Sequence, residues 1–409
     1  MPRSEVRSDP DVRQRRRPAH HPCRNTFLCL AVAAAFLAPA AAVATGVALP
    51  CPADAGWQVV RELELPRRGP DDQRIGGFSA AHLAPDSDRL WLLSDLPLGS
   101  ITIWSGLKAA LTGAARPELE RTLVLRSGPE QPLPPVIDGE GMVRMAGQVW
   151  VASEGRRLRE LPAQLLRFDA PSGRLLQALE LPGDWQPGDG RGLGSNTGPE
   201  SLALLPQGEG PPALLMGAEK ALLQDPARQV RLLRWSWWQG QDPRFEAPQA
   251  SPQGSLLLPE EDGWGLTELL VLDSGRVLAL LRRFEAPLHW HIRLAVYPLP
   301  ALPDDPPAVP LAEWDLIAAG LTPDNWEGLT PGPPLPDGRP SLLLVSDDNL
   351  SPLQASRVAQ LAPVRGAGCA GGIQPSTSNS ARQRRSWATA AGVSSVGNIS
   401  RKSLSALGW

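Results

Sequence analysis

The sequence predicts an all-β fold, a single β-propeller, on three observations. An acid-tipped apolar strand recurs at near-constant spacing, a second marker recurs in step with it, and no helical periodicity lies between them. The first marker ends LWLLSD at Asp95, VWVASE at Glu154, LLMGAE at Glu219 and LLLVSD at Asp347, while VLALLRR puts Arg282 at the same place in the fourth copy. These positions are 59, 65, 63 and 65 residues apart. The second marker reads Ser79-Ala-Ala, Glu140-Gly-Met, Glu200-Ser-Leu, Glu268-Leu-Leu and Glu327-Gly-Leu, at steps of 61, 60, 68 and 59 residues. Two markers agreeing on the unit give five blades; six is the alternative, if a long third or fifth unit holds another.

Within each unit the first strand starts near the second marker and the acid-tipped run is the second strand. QLLRFD, VRLLRWS, IRLAVY and SRVAQL supply third strands, and RLLQALELP a fourth in the second unit. The 39 Gly and 45 Pro of the chain supply turns. A parallel α/β fold would need amphipathic helices between strands. The last unit stops after its third strand near Leu361, whereas QVVRELELP near the start ends in the LELP of the second unit's fourth strand. The N-terminal strand is therefore expected to complete the last blade, so that no sheet edge is left open at the seam. Cys51 and Cys369 lie just outside the two strands that would meet. A disulfide between them is expected, against the alternative of two thiols in unstructured ends.

The organisation expected is an export signal or anchor over residues 1–50, the propeller over 56–363 and a disordered tail over 364–409. Arg13, Arg15, Arg16 and Arg17 precede an apolar run from Phe27 to about Val47, which suits either a cleaved signal or an uncleaved anchor. The protein is thus expected to be periplasmic, extracellular or surface-anchored, with membrane contact only through this segment. A net charge of −3, a pI near 6.0 and no basic stripe argue against a nucleic-acid partner. A monomer is expected.

In a propeller blade the start of the first strand and the end of the second lie at the same face. Asp95, Glu140, Glu154, Glu200, Glu219, Glu268, Glu327 and Asp347 should then converge at one channel mouth, joined by Asp138, Asp324 and Asp348. Ser79 and Arg282 are the exceptions. Crowded carboxylates raise one another's pKa unless a cation neutralises them, and oxygen-only ligands favour Ca²⁺ first and Mg²⁺ second. Taken singly, each acid reads as a turn cap; taken together they read as a metal site. GDGRGLG at 188–194 is glycine-rich like a nucleotide loop, but no helix follows it. Ser195 lacks a nucleophile-elbow setting, His289 and His291 around Trp290 read as a solvated outer strand, and WSWW at 235–238 reads as a packed one.

GGFSAAHL, LLSD, DGEGM, VASEGR, NTGPESLALLP, LLRRF, DNWEGLTPG and LLLVSDDNLSPLQ, in this order, resemble the phytase-like family called esterase-like activity of phytase. The resemblance runs from about Gly76 to Leu361. It implies shared acids at Asp95, Asp138, Glu140, Glu154, Glu200, Glu219, Glu327, Asp347 and Asp348, with Asn196, Asn325 and Asn349 as polar binding companions. One departure is that Leu281 precedes Arg282, where the family commonly has Glu. The resemblance further implies metal-dependent hydrolysis of a small phosphorylated substrate, with Arg282 or Arg283 gripping the phosphate and Glu154 as base. The alternative is a non-catalytic, Ca²⁺-stabilised propeller that binds a ligand or protein partner at the channel mouth.

Overall fold

The computed structural model describes residues 47–364 except 86, 97–98, 129–136, 156–161, 209 and 274. Most of the expected export segment, most of the expected tail, and Cys369 lie outside the described residues. Strand β1 (Trp57–Glu64) is followed by β2 (Phe78–Leu83), β3 (Leu90–Ser94), β4 (Ser100–Ser105) and β5 (Glu118–Val124). Next come β6 (Gly139–Met145), β7 (Gln148–Ser153), β8 (Gln164–Asp169) and β9 (Leu175–Glu180), then β10 (Pro199–Leu205), β11 (Ala213–Ala218), β12 (Gln229–Ser236) and β13 (Gln249–Leu257). The fourth set is β14 (Gly265–Asp273), β15 (Arg276–Glu285), β16 (His289–Pro298) and β17 (Ala312–Asp315); the last is β18 (Asn325–Gly332), β19 (Ser341–Asp347) and β20 (Arg357–Pro363).

These strands make five antiparallel four-stranded sheets, the fifth ordered β1-β20-β19-β18. The innermost strands touch around a ring, β2 with β6, β6 with β10, β10 with β14, β14 with β18, and β18 with β2. The fold is a five-bladed propeller closed by β1, which pairs with β20 from Trp57↔Pro363 to Glu64↔Arg357. A short helix α1 (Leu107–Leu111) fills the β4–β5 connection and tucks Leu107, Ala110 and Leu111 into the core. It links antiparallel neighbours.

Second strands β3, β7, β11 and β19 are buried at every position because each is covered on both faces by the adjoining blades. That is why they read as continuous apolar runs instead of alternating ones. Between blades the core is aliphatic and aromatic: Trp150, Leu202, Leu215, Leu232, Leu266 and Leu281 belong to one continuous cluster.

Each first strand carries one β-bulge near its start. The register with the second strand slips between Phe78 and Ala80, Gly139 and Gly141, Pro199 and Ser201, Leu266 and Glu268, and Trp326 and Gly328. The extra residues are therefore Ser79, Glu140, Glu200, Thr267 and Glu327. A bulge re-aims its extra side chain, and three of these are lining residues of the cavity at this end of the ring. In the fourth blade the structure corrects the sequence frame by one residue, because Thr267, not Glu268, holds the bulge. The residue after the bulge packs against a neighbouring first strand. A Cβ on Gly141 would lie 2.8 Å from Leu202 N, and one on Gly328 would lie 3.1 Å from Ala81 N. The Glu-Gly pairs of the sequence thus combine an aimed carboxylate with a close approach that a side chain would crowd.

Candidate functional site

The two sequence markers are neighbours in space. Asp95 N–H donates to Gly77 O at 2.8 Å, Glu154 N–H to Asp138 O at 2.8 Å and Glu219 N–H to Gly198 O at 2.7 Å. Arg282 faces Gly265 and Asp347 faces Asn325 in the corresponding ladders. Together they line a cavity of about 810 Å³ whose walls include Asp95, Asp138, Glu140, Glu154, Asn196, Glu200, Glu219, Arg282, Asn325, Glu327, Asp347 and Asn349. Lys220, Gly155, Ser195, Gly263, Phe284 and Trp290 complete the lining.

Four expected residues lie elsewhere. Glu268 is buried on the blade-to-blade face, where its Oε1 accepts the N–H of Leu202 at 3.2 Å and of Leu269 at 2.9 Å. Asp348 caps the next blade, its Oδ1 accepting from Gly77 N at 3.0 Å and Leu350 N at 3.1 Å. Arg283, one residue from Arg282 on a strand, points the other way. It reaches Glu285 at 3.1 Å and lies 5.8 Å from the Trp264 ring centroid. Asp324 is likewise a structural acid, bonded to Arg357 at 3.2 Å.

Within the cavity the charges fall into two groups. Asp138, Glu140 and Glu154 can bring one carboxylate oxygen each to within 4.8 Å of one another. Burial pushes Glu140 well above the ordinary carboxylate value, and Glu327, Glu154, Asp138 and Asp95 push it further. Glu200 is raised in the same way, by burial and then by Glu140 and Glu219. On the other side Arg282 bonds Glu327 and Asn325, and lies 3.4 Å from Glu219 Oε1. Burial opposes its charge, yet Glu327, Glu200, Glu219 and Asp347 more than offset this and hold it protonated. Asn325 Nδ2 donates to Glu327 at 2.9 Å and Asp347 at 3.0 Å, tying the fifth blade into the same network. Burial lifts Glu327 to about 7 and Asp347 to about 8.

An all-oxygen trio of carboxylates fits a hard divalent cation. Asp138 and Glu140 would hold it, with Glu154 beside them; the opposite group already has Arg282 as its cation. Glu154 Oε1 accepts the Gly198 N–H at 2.7 Å, which fixes that carboxylate between the second and third blades.

The model of the family described as "Phytase-like: Esterase-like activity of phytase" matches residues 73–350, more than half of the chain. The chain belongs to this phytase-like family. No curated protein matches. Many solved chains match, among them a GH43_1 enzyme from Xanthomonas citri complexed with xylotriose, at 14% identity over 79% of this chain and 95% of that one, TM-score 0.42. A protein of unknown function from Dyadobacter fermentans matches at 13% identity over 76% and 100%, TM-score 0.38. The Pan2 WD40 domain of Neurospora crassa matches at 7% over 76% and 97%, TM-score 0.32.

The aromatic pair Phe284 and Trp290 escaped the sequence reading. No pattern there marked it, because Phe284 and Trp290 sit in the charged, histidine-bearing run RRFEAPLHWH.

Proposed function

We propose that this phytase-like protein is a metal-dependent phosphoester hydrolase working in the carboxylate cavity. The observation that carries the reading is the Asp138–Glu140–Glu154 trio, with its oxygens within 4.8 Å, on the wall of a cavity that also presents Arg282 and Lys220. Asp138 and Glu140 would hold a divalent cation, Ca²⁺ ahead of Mg²⁺, which would supply positive charge for a phosphoryl oxygen and for acidifying a water. Arg282 and Lys220 add positive charge on the far wall, where a phosphoryl group can be oriented. Asn196, Asn325 and Asn349 offer polar contacts around it. Glu154, left off the metal and fixed through its Oε1 to Gly198, would take a proton from the attacking water on its other oxygen. Glu200, whose neutral form burial favours, would return one to the leaving oxygen. The Arg-led apolar segment before the propeller supports action outside the cytoplasm.

A non-catalytic, Ca²⁺-stabilised propeller is the second reading. It is favoured by the bonds that Glu154 and Asp348 make to Gly198 and Gly77 of the following blades, which use carboxylates as inter-blade ties. A screen of phosphomonoesters and diesters with and without EDTA separates the two. The hydrolase reading expects chelator-sensitive turnover, lower by about 10²–10⁴-fold in Glu154→Gln, and calcium heat lost in Glu140→Gln. No ester turned over, with Ca²⁺ still raising the melting temperature, would leave the binding protein.

A further inference from the structure

The cavity is polar except on one side. Strands β15 and β16 are ten residues each and pair as far as Glu285↔His289, beyond Gly265↔Arg282 where the inner strand of that blade begins. This overhang rises past the ring. Alternation along it sets two faces. Arg282, Phe284 and Trp290 are on the cavity side and are lining residues; Arg283 and His291 are on the other.

The rear face is anchored. Trp264 is buried behind it, with Arg293 stacked at 4.5 Å from the ring centroid, Arg283 at 5.8 Å and His291 at 6.3 Å. The front face is not covered. Phe284 and Trp290 stand directly opposite each other with centroids 4.6 Å apart and rings inclined at 46°. Phe284 is 48% exposed. Cross-strand aromatic pairs do stabilise hairpins, but a pair serving only that end would be expected on the covered side, where Trp264 already provides a surface. Here the rigid, buried side carries polar groups and the aromatic side faces the cavity. Successive same-face residues of a strand are about 7 Å apart, so the ring of Phe284 begins one small-molecule length above Arg282.

We propose that Phe284 and Trp290 select the organic part of the ligand, so that the cavity takes a phosphoester whose ester-linked group is a planar, apolar ring. The phosphoryl end sits among the carboxylates and Arg282, and the ring covers the exposed aromatic pair. Apolar contact of this kind stabilises the complex by removing aromatic surface from water. A small polar alcohol in place of the ring leaves the pair wet and gains nothing from it. The inference rests on the phosphoester reading for its anionic end and stands apart from it for its apolar end.

The test uses the full chain with Ca²⁺, in wild type, Phe284→Ala/Trp290→Ala, and Phe284→Leu/Trp290→Leu, with melting temperature as the folding control. Two pairs of probes are compared: phenyl and methyl phosphate for turnover, phenylphosphonate and methylphosphonate for binding by calorimetry. Comparing the phenyl-to-methyl ratio between proteins cancels the intrinsic difference between leaving groups. The expected result is a phenyl preference in wild type that falls about tenfold in the alanine variant, equivalent to about 1.4 kcal/mol, and only partly in the leucine variant. If neither ester is hydrolysed but phenylphosphonate binds with that preference, the hydrolase reading fails and this inference holds. Equal affinity of wild type for the two phosphonates, no binding of either, or a preference that survives in a folded alanine variant overturns it.

Discussion

Glu140, Glu200 and Glu327 owe their direction to single extra residues in their strands, and Arg282 owes its neighbours to the same geometry in a blade where Thr267 takes the bulge. At that place the ring carries a fixed organic cation. Its guanidinium bonds Glu327 and Asn325 and faces Glu219, whose Oε2 is buried without a hydrogen-bond partner. Arg282 therefore does for this half of the cavity what a divalent ion would do for Asp138, Glu140 and Glu154. Arg282→Gln removes the charge and keeps only one amide NH₂ on a shorter side chain. The variant should bind one more Ca²⁺ per chain than wild type by calorimetry, and with chelator present it should be less stable by about 3–5 kcal/mol, the usual cost of breaking a buried ion pair from one side. An unchanged stoichiometry would show that Arg282 does not occupy a cation position.

At the scale of the strand, ordering and closure were legible because burial on both faces writes long apolar runs into β3, β7, β11 and β19, and because β1 repeats the LELP that ends β9. Bulge placement was not. Thr267 and Glu268 are adjacent, and an acid matched the repeat better than a threonine, so the marker slipped by one residue onto a side chain that faces the neighbouring blade. Nor was the β15–β16 overhang legible, since His289 and His291 alternate in sequence as a solvated strand would, while His291 packs on Trp264 in the fold. Glu268 gives the misplacement a measurable consequence. Buried at 2% exposure, it is pushed well above the ordinary carboxylate value of 4.5, chiefly by burial and against two backbone N–H bonds. A carboxyl whose pKa is raised in the fold stabilises fully below its unfolded value and progressively less as pH rises through the interval to its folded one. Glu268→Gln mimics the protonated form and lacks that dependence. In urea unfolding the two proteins should agree below pH 4.5 and diverge above it, the variant gaining on wild type by about 1.4 kcal/mol per pH unit until the folded carboxyl ionises. A flat difference, or a gain by wild type, would mean that Glu268 is ionised in the folded protein.

For the whole molecule the decisive seam is the one between the chain's two ends. A propeller blade holds its neighbours by side-chain packing, but the fifth blade is completed by a strand from the opposite end of the sequence, so opening that single pairing exposes the edge of β20 and releases the ring. Several contacts guard it. Val364 N–H donates to Gly56 O at 3.0 Å, continuing the pairing past β1, and both carboxylate oxygens of Glu62 hold Thr322, at 2.9 and 2.6 Å. Trp57 meets Trp314 edge to face with centroids 6.0 Å apart, and Trp314 Nε1 donates to Ala53 O at 2.6 Å. Cys51 lies immediately before this cluster and is disulfide-bonded. Its expected partner Cys369 follows the last described residue, Val364, by a short stretch of chain, and Val364 already touches Gly56. A Cys51–Cys369 link would tie the seam covalently and close a loop containing the entire ring. On the chain-entropy account such a link stabilises by about 3–5 kcal/mol, by restricting the unfolded chain. Peptide mapping of exported, unreduced protein should find Cys51 joined to Cys369, and Cys51→Ala should lower stability to unfolding by that amount while leaving reduced wild type and variant equal. A map joining Cys51 to Cys23 or Cys29, or equal stability of the oxidised wild type and the variant, would leave the seam held by β1 pairing and the non-covalent contacts of Val364, Glu62, Trp57 and Trp314.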